Sequence, residues 1–418
     1  IQNKKQSVDW RSSCCMKPST ITGFLIRYHR LKQNISQEGL CKGICVVSYL
    51  SKIEQGVVCA SDEIIHQLFH ALKLTYHDEA DFLAQAKQTL YDYFEKHFMQ
   101  EENIQEAKDI QKHREELLCS PLCVETLLAC AFMKFIVHHF DSTAIEKEQQ
   151  ELTVFEPMMS DEQHFLYHYV CSIHPDFETR LMHLKKAGNY ISCSPQRYML
   201  GYRYYEKGFH DEALEYMNQA YSLACEEGNV HVMMDAVLII GNCYCNNYNE
   251  KLMCHYYRIA DRIARSLKKQ DIHYTIQYNL GSTYLQWKQY DKAKAYVLAS
   301  LHNEIFDQIL TYQKLALVSF ELNEHMEMKH YLEQADQLID KEPSLSDMND
   351  FVHCYCSNNI QEEHYLKLLE KLSSDTSFPY GFQKFYALYL FEAYMKRRRY
   401  KDALALSVKF RFDFPDKC

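Results

Sequence analysis

Cysteine and histidine are the most reactive side chains of this sequence, with 17 and 21 copies in 418 residues. Cys119 and Cys123, followed by His138 and His139, could imitate a zinc site. Their Cys-x3-Cys spacing lacks a matching second pair, however, and buried structural thiols are the more frequent alternative. No Ser-His-Asp, phosphate-loop or paired-carboxylate pattern stands out. We therefore expect a protein that is not an enzyme and that holds no metal or other cofactor.

Charge is distributed unevenly along the chain. The whole chain carries 46 basic and 56 acidic residues, which gives a net charge of −10. Residues 16–75 nevertheless carry seven basic and four acidic side chains, whereas residues 76–418 have a net charge of −15. A small basic segment therefore precedes a large acidic one, which suggests a nucleic-acid-binding module on a body with another task.

Composition indicates what kind of elements must position these residues. Only 11 glycines and 8 prolines interrupt the chain, so we predict an all-α fold. The scattered cysteines suit reduced thiols in the cytoplasm, and the longest apolar stretch, 127–140, is too short and too charged to span a membrane. Residues 1–15 begin without Met and show no apolar signal segment, so we expect a disordered or non-native leader.

Residues 16–75 are predicted to form one compact domain of short helices. Helical periodicity predicts a first helix over 20–33, with Ile21, Leu25 or Ile26, and Leu31 facing a core. Ser36 is a candidate N-cap for a second helix over 37–42, and Gly43 permits the turn that follows. A third helix over 46–55 should end at Gly56, and Ser61 should cap a fourth.

This segment resembles the Xre/Cro type of helix-turn-helix domain. The matching residues are GFLIRYHRLKQNISQEGLCKGICVVSYLSKIEQG, followed by SDEIIHQLFHAL. The resemblance implies that Ser48–Gly56 is the recognition helix and that Arg30 pairs with Glu54. We interpret this pair as structural, and an exposed pair would add under about 1 kcal/mol. The turn at 43–45 is one residue shorter than is usual in the family.

A recognition helix reads base edges with its N-terminal half while flanking groups hold phosphates. Val46 and Val47 could contact thymine methyls, and packing of both valines inside the domain is an equally weighted alternative. Serine and tyrosine can bond bases or phosphates, and the remaining polar residues suit phosphates. The predicted DNA-binding residues are Gln37, Lys42, Val46, Val47, Ser48, Tyr49 and Lys52.

Residues 76–418 contain internal repeats. A hydrophobic-Gly-x-x-Tyr element begins at Leu200, Ile240 and Leu280, always 40 residues apart, and weaker copies follow near 316 and 390. The pattern resembles the tetratricopeptide repeat, and the resemblance implies a right-handed helical solenoid over 76–418, clearest at 195–305.

Such solenoids commonly hold an extended peptide on a concave face lined by the first helix of each pair. Asparagine can offer a donor and an acceptor together to a peptide backbone, and tyrosine adds flat apolar surface. Solvated helix residues are the alternative, and substitutions there should cost under about 0.5 kcal/mol of stability. The predicted peptide-binding residues are Tyr202, Tyr205, Asp235, Asn242, Asn246, Tyr278, Asn279, Ser282 and Gln286.

The combination of an Xre-type domain with these repeats is similar to the peptide-pheromone receptors of the Rgg, PlcR and PrgX type. The resemblance implies a cytoplasmic, homodimeric transcription regulator that binds a double-stranded DNA operator and a short signalling peptide. Two alternatives remain open at this point. The repeats could bind a partner protein, or the chain could be a regulator of a signalling enzyme, as in the Rap group.

Overall fold

The computed structural model describes residues 18–137, 142–247, 249–302, 304–360 and 362–412. All regular structure in these ranges is helical, which confirms the all-α prediction. None of the described helices combines the length and the apolar character needed to cross a membrane. The predicted leader, residues 1–15, lies outside the described residues.

Two compact units divide the chain, one formed by residues up to 200 with 222–232 and one by 201–221 with 233–418. The helices of the first unit are α1 (Pro18–Lys32), α2 (Gln37–Cys41), α3 (Val47–Glu54), α4 (Asp62–Ala71), α5 (Ala80–Phe98), α6 (Ile104–Lys112), α7 (Arg114–Leu118), α8 (Cys123–Val137), α9 (Glu146–Thr153), α10 (Asp161–Cys171) and α11 (Phe177–Tyr190).

Three helices contribute residues to both units, namely α12 (Ser194–Glu206), α13 (His210–Glu227) and α14 (Val230–Asn246). The second unit continues with α15 (Glu250–Ser266), α16 (Gln270–Gln286), α17 (Tyr290–Ala299), α18 (Ile305–Glu321), α19 (His325–Ile339), α20 (Ser346–Cys356), α21 (Glu363–Ser374), α22 (Tyr380–Lys396) and α23 (Tyr400–Phe410). Short 3-10 turns occupy Ser142–Ile145, Glu156–Met158 and Pro343–Leu345.

One hydrophobic core fills the first unit from Ile21 to Cys193. The hydroxyls of Thr22 and Tyr76 lie 2.8 Å apart, and the ring of Tyr28 packs against that of Phe155 at 5.3 Å between centroids. The first four helices are thus packed against the helices that follow them. The predicted domain limit at residue 75 does not coincide with a limit of this compact unit.

Helix α1 corrects one detail of the predicted core. Leu25 and Ile26 are both fully buried, whereas Leu31 is 50% exposed. The expectation that Leu31 faces the core is therefore wrong, because the buried stripe of α1 turns away from it near the end of the helix.

The repeats of the second unit are held together by two recurring contacts. Gly201, Gly241 and Gly281 each face the residue sixteen positions later on the next helix, and a Cβ there would come within 3.1, 2.6 and 2.4 Å of a side chain. The tyrosine of each motif stacks on a second tyrosine, with centroids 5.4–5.6 Å apart in the pairs Tyr204/Tyr216, Tyr244/Tyr256 and Tyr284/Tyr296. Close crossing and ring stacking thus repeat with the same spacing as the sequence motif.

Candidate functional site

The turn between α2 and α3 is built from the residues that the sequence singles out. Ser36 caps α2, its hydroxyl accepting a 3.0 Å hydrogen bond from the Gly39 amide. Gly43 and Gly56 adopt positive φ values of 80° and 69° at the two ends of the segment. Only a residue without a Cβ takes such angles freely, so these glycines fix where α3 starts and stops.

The N-terminal half of α3 presents its side chains to solvent. Val46, the N-cap residue, is 66% exposed and Val47 is 41% exposed, so the alternative in which both valines pack inside the domain is wrong. Ser48, Lys42 and Lys52 are also exposed. We call these five residues the α3 strip.

Tyr49 and Gln37 differ from the α3 strip. Tyr49 is half-buried and packs against the core of the unit, which leaves part of its side chain in solvent. The Gln37 amide nitrogen donates a 2.8 Å hydrogen bond to Glu54. The hydrogen bond to Glu54 therefore holds the amide nitrogen of Gln37, which is not free to turn toward a ligand.

Arg30 and Glu54 form a buried pair under α3. The guanidinium donates from Nε and Nη2 to the two carboxylate oxygens at 2.6 and 2.8 Å, and from Nη1 to the Ile35 carbonyl at 2.8 Å. The hydrogen bond to Glu54 raises the pKa of Arg30 above its usual value. The pair is buried and bidentate. The small contribution to stability that is expected for an exposed pair therefore does not apply to it.

In the second unit, the predicted asparagines lie close together. Asn242 Oδ1 accepts hydrogen bonds from Asn279 Nδ2 at 3.1 Å and from the Tyr257 hydroxyl at 2.7 Å. Asn246 Nδ2 donates to the Asn242 carbonyl at 3.0 Å. We call the predicted peptide-binding residues of α12, α14 and α16 the inner face.

These contacts give Asn242 a structural role in addition to the predicted peptide binding. Tyr257 is almost fully buried, and Asn242 supplies the oxygen atom that its hydroxyl donates to. We therefore expect the loss of Asn242 to cost more than about 0.5 kcal/mol of stability, since it would weaken the bonding of a buried hydroxyl. The side-chain oxygens of Asn246 and Asn279 accept no hydrogen bond of ordinary geometry from the described residues.

The other predicted inner-face residues are half-buried. Burial raises the pKa of Tyr205, which also hydrogen-bonds with Asn242, and the Tyr202 ring lies 6.3 Å from that of Tyr205. The hydroxyls of Tyr278 and Ser282 are buried without a hydrogen bond of ordinary geometry. The two remaining predicted residues, on α14 and at the end of α16, are Asp235 and Gln286.

Two buried lysines of the second unit lie outside the predicted set. Lys384 Nζ donates to the Asn246 carbonyl at 3.2 Å, and Lys314 Nζ lies 2.8 Å from the centroid of the Phe385 ring. Their exposed fractions are 4% and 6%. The sequence did carry a signal for Lys314, because it is the one charged residue inside the apolar run ILTYQKLALVSF.

The cysteine and histidine residues do not assemble into a metal centre within the described ranges, where no group of three or more ligands is found. Cys119 and Cys123 are buried, and burial raises the pKa of the Cys123 thiol. His138 and His139 lie outside the described residues.

Residues 26–78 match the helix-turn-helix family. The chain therefore carries an Xre-type helix-turn-helix DNA-binding domain, and this domain contains α2, α3, α4 and the Arg30–Glu54 pair. No curated protein matches the chain by sequence.

Solved structures share the fold over most of the chain. The apo form of the quorum sensor NprR from B. thuringiensis is 18% identical, with a TM-score of 0.60 over 79% of this chain and 99% of that one. NprR in complex with its cognate peptide NprX is 18% identical over 77% and 99%, with a TM-score of 0.58. A Rap protein complexed with Competence and Sporulation Factor is 12% identical over 78% and 97%, with a TM-score of 0.62. The helix pairs thus form a helical solenoid of the NprR and Rap kind.

Proposed function

We propose that this protein is a cytoplasmic transcription regulator that binds an operator through the α3 strip and a short signalling peptide through the inner face. The observation that carries the proposal is the contrast within α3, whose inward residues are fixed by the core and by Arg30 while its outward residues are exposed. NprR, which shares the fold, is known in complex with a peptide.

Lysines of the α3 strip should set the salt dependence of DNA binding. Each phosphate contact releases counterions, so Lys42→Ala or Lys52→Ala should flatten the slope of log K against log salt by about one unit. Fluorescence anisotropy with operator DNA at several salt concentrations measures the slope. Lys108→Ala, which removes an exposed lysine on α6, is the matched control and should leave the slope unchanged. Equal slopes in all three variants would place the phosphate contacts elsewhere.

Dimerisation is part of the proposal because helix-turn-helix proteins bind paired half-sites as dimers. Helix α23 carries an apolar stripe of Tyr400, Leu404 and Val408, which are 58–70% exposed. Such patches mark association surfaces, and we assign this one to a second copy of the chain. Light scattering should show that Leu404→Glu is monomeric. The control Met326→Glu changes a lone exposed methionine on α19 and should remain dimeric. A dimer that survives Leu404→Glu contradicts the assignment.

The asparagines of the inner face should bind the backbone of the peptide. Asn279→Ala or Asn246→Ala would leave a peptide group unpaired, which costs about 1–3 kcal/mol, or about 5-fold to 150-fold in affinity. The probe is a synthetic pool of random heptapeptides, from which captured peptides are resynthesised and titrated by calorimetry. Asn218→Ala, on the outward side of α13, is the control. Unchanged affinity in both inner-face variants would contradict this role, whereas capture of no peptide by the wild type would contradict the proposed function itself.

A further inference from the structure

Lys314 occupies an unusual environment. It projects from the middle of α18 and reaches the rings of Phe385 and Tyr386 on α22, at 2.8 and 5.9 Å from their centroids. Burial is the cause that lowers its pKa well below the usual value, and no described carboxylate forms an ion pair with it. An aromatic ring compensates only part of the cost of removing an ammonium group from water. Lys314 is thus a buried amine whose charged form would be stabilised by an anion placed next to it.

The acidic groups on the same helix are already engaged. Asp307 pairs with His302 at 3.0 Å, and Glu321 accepts a hydrogen bond from the Tyr355 hydroxyl. The local deficit of negative charge stands out because residues 76–418 are acidic as a whole. Neither acidic group of α18 therefore pairs with Lys314, and a carboxylate brought by a ligand would supply that charge.

Neighbouring groups supply further donors. Lys384 lies on α22 beside Phe385, is 4% exposed and donates a hydrogen bond to the Asn246 carbonyl. The hydroxyls of Tyr278 and Ser282 are buried close to each other, and Tyr278 is close enough to Tyr386 for the two to influence each other's ionisation. Lysine carries three donors and hydroxyls one each, which is a donor set suited to carboxylate oxygens.

We propose that Lys314, assisted by Lys384, binds a carboxylate group of the peptide that occupies the inner face. This inference rests on the proposed peptide-binding function and adds the chemistry of the ligand. The carboxylate is either the C-terminus of the peptide or an Asp or Glu side chain. Peptides without a correctly placed carboxylate bind more weakly because they leave the buried lysine without an ionic partner.

The wild-type protein alone can test the preference for peptides that carry a carboxylate. The probes are two random heptapeptide pools of identical composition, one with free C-terminal acids and one with C-terminal amides, and captured peptides are sequenced by mass spectrometry. We expect carboxylate-bearing peptides to be enriched about tenfold or more. Enrichment confined to the free-acid pool assigns the C-terminus, whereas enrichment of Asp or Glu in both pools assigns a side chain.

Variants test whether Lys314 causes the preference for peptides that carry a carboxylate. Lys314→Met keeps the length of the side chain without its charge and should abolish the enrichment while peptides are still captured. Lys384→Met should reduce it and provides a second variant if the first does not fold. Lys329→Met, at an exposed position of α19, should behave as the wild type. Melting temperatures serve as the folding control.

The outcomes separate the two proposals. If the wild type captures peptides without carboxylate enrichment, or if Lys314→Met and Lys384→Met keep the enrichment, the inference is wrong and the peptide-binding function stands. If the wild type captures no peptide from either pool, the proposed function is wrong, and the inference falls with it.

Discussion

Replacing Glu54 with alanine should lower the free energy of unfolding of the first unit by about 3–5 kcal/mol. The guanidinium of Arg30 would stay buried between α1 and α3 with two of its donors unpaired, and Gln37 would lose its acceptor. Chemical denaturation of the full chain, followed by circular dichroism, measures the loss. DNA affinity should fall as well, because the pair joins α1, α2 and α3 and thereby sets the orientation of the α3 strip.

Two further variants distinguish the buried charge from a general effect of substitution. Glu63→Ala removes an exposed carboxylate from the first turn of α4 and should change stability by about 0.5 kcal/mol or less. The double variant Arg30→Met/Glu54→Leu removes both charges and should recover most of the loss, because apolar replacements of a buried pair are often neutral. If the double variant is as unstable as Glu54→Ala, an uncompensated charge is not the cause.

Local signals explain why much of the helix-turn-helix segment is predictable. The cap at Ser36 and the glycines at 43 and 56 act within a few residues of themselves, so the sequence displays them directly. The burial of Arg30 and Glu54 is different, because it depends on the crossing of α1 and α3. A charged residue in a single sequence is expected to be exposed, and only tertiary packing overrides that expectation.

In the repeats, too, local patterns are predictable from the sequence, whereas contacts between distant helices are not. The glycine and tyrosine of each motif recur every 40 residues, and the structure gives both a packing role. Their stacking partners, Tyr216, Tyr256 and Tyr296, recur with the same spacing and could have been found from the sequence. Lys314 and Lys384 belong to no repeat element. Their meeting with the rings and carbonyls of other helices follows from how the helix pairs stack, which periodicity does not encode.

Gly23 should be the least replaceable residue of α1. A Cβ at this position would lie 1.9 Å from the Ile53 carbonyl oxygen and 2.8 Å from its carbon, both of them backbone atoms of α3. No side-chain rotation relieves such an overlap, so Gly23→Ala must push α1 and α3 apart. We expect a loss of about 3 kcal/mol in the free energy of unfolding, despite the better helix propensity of alanine.

The displacement caused by Gly23→Ala should also reach DNA binding, since Ile53 precedes Glu54 and shares a helix with Lys52. Operator affinity measured under conditions where the variant is still folded should therefore fall together with stability. Gly39→Ala is the matched control, because a Cβ there would meet only side-chain atoms, Ser36 Oγ at 3.2 Å and Ile35 Cγ2 at 3.5 Å. It should be neutral or stabilising, as alanine favours the helix by up to about 1 kcal/mol. Equal stability of the two variants would show that α1 and α3 do not approach as closely as the Gly23 contact requires.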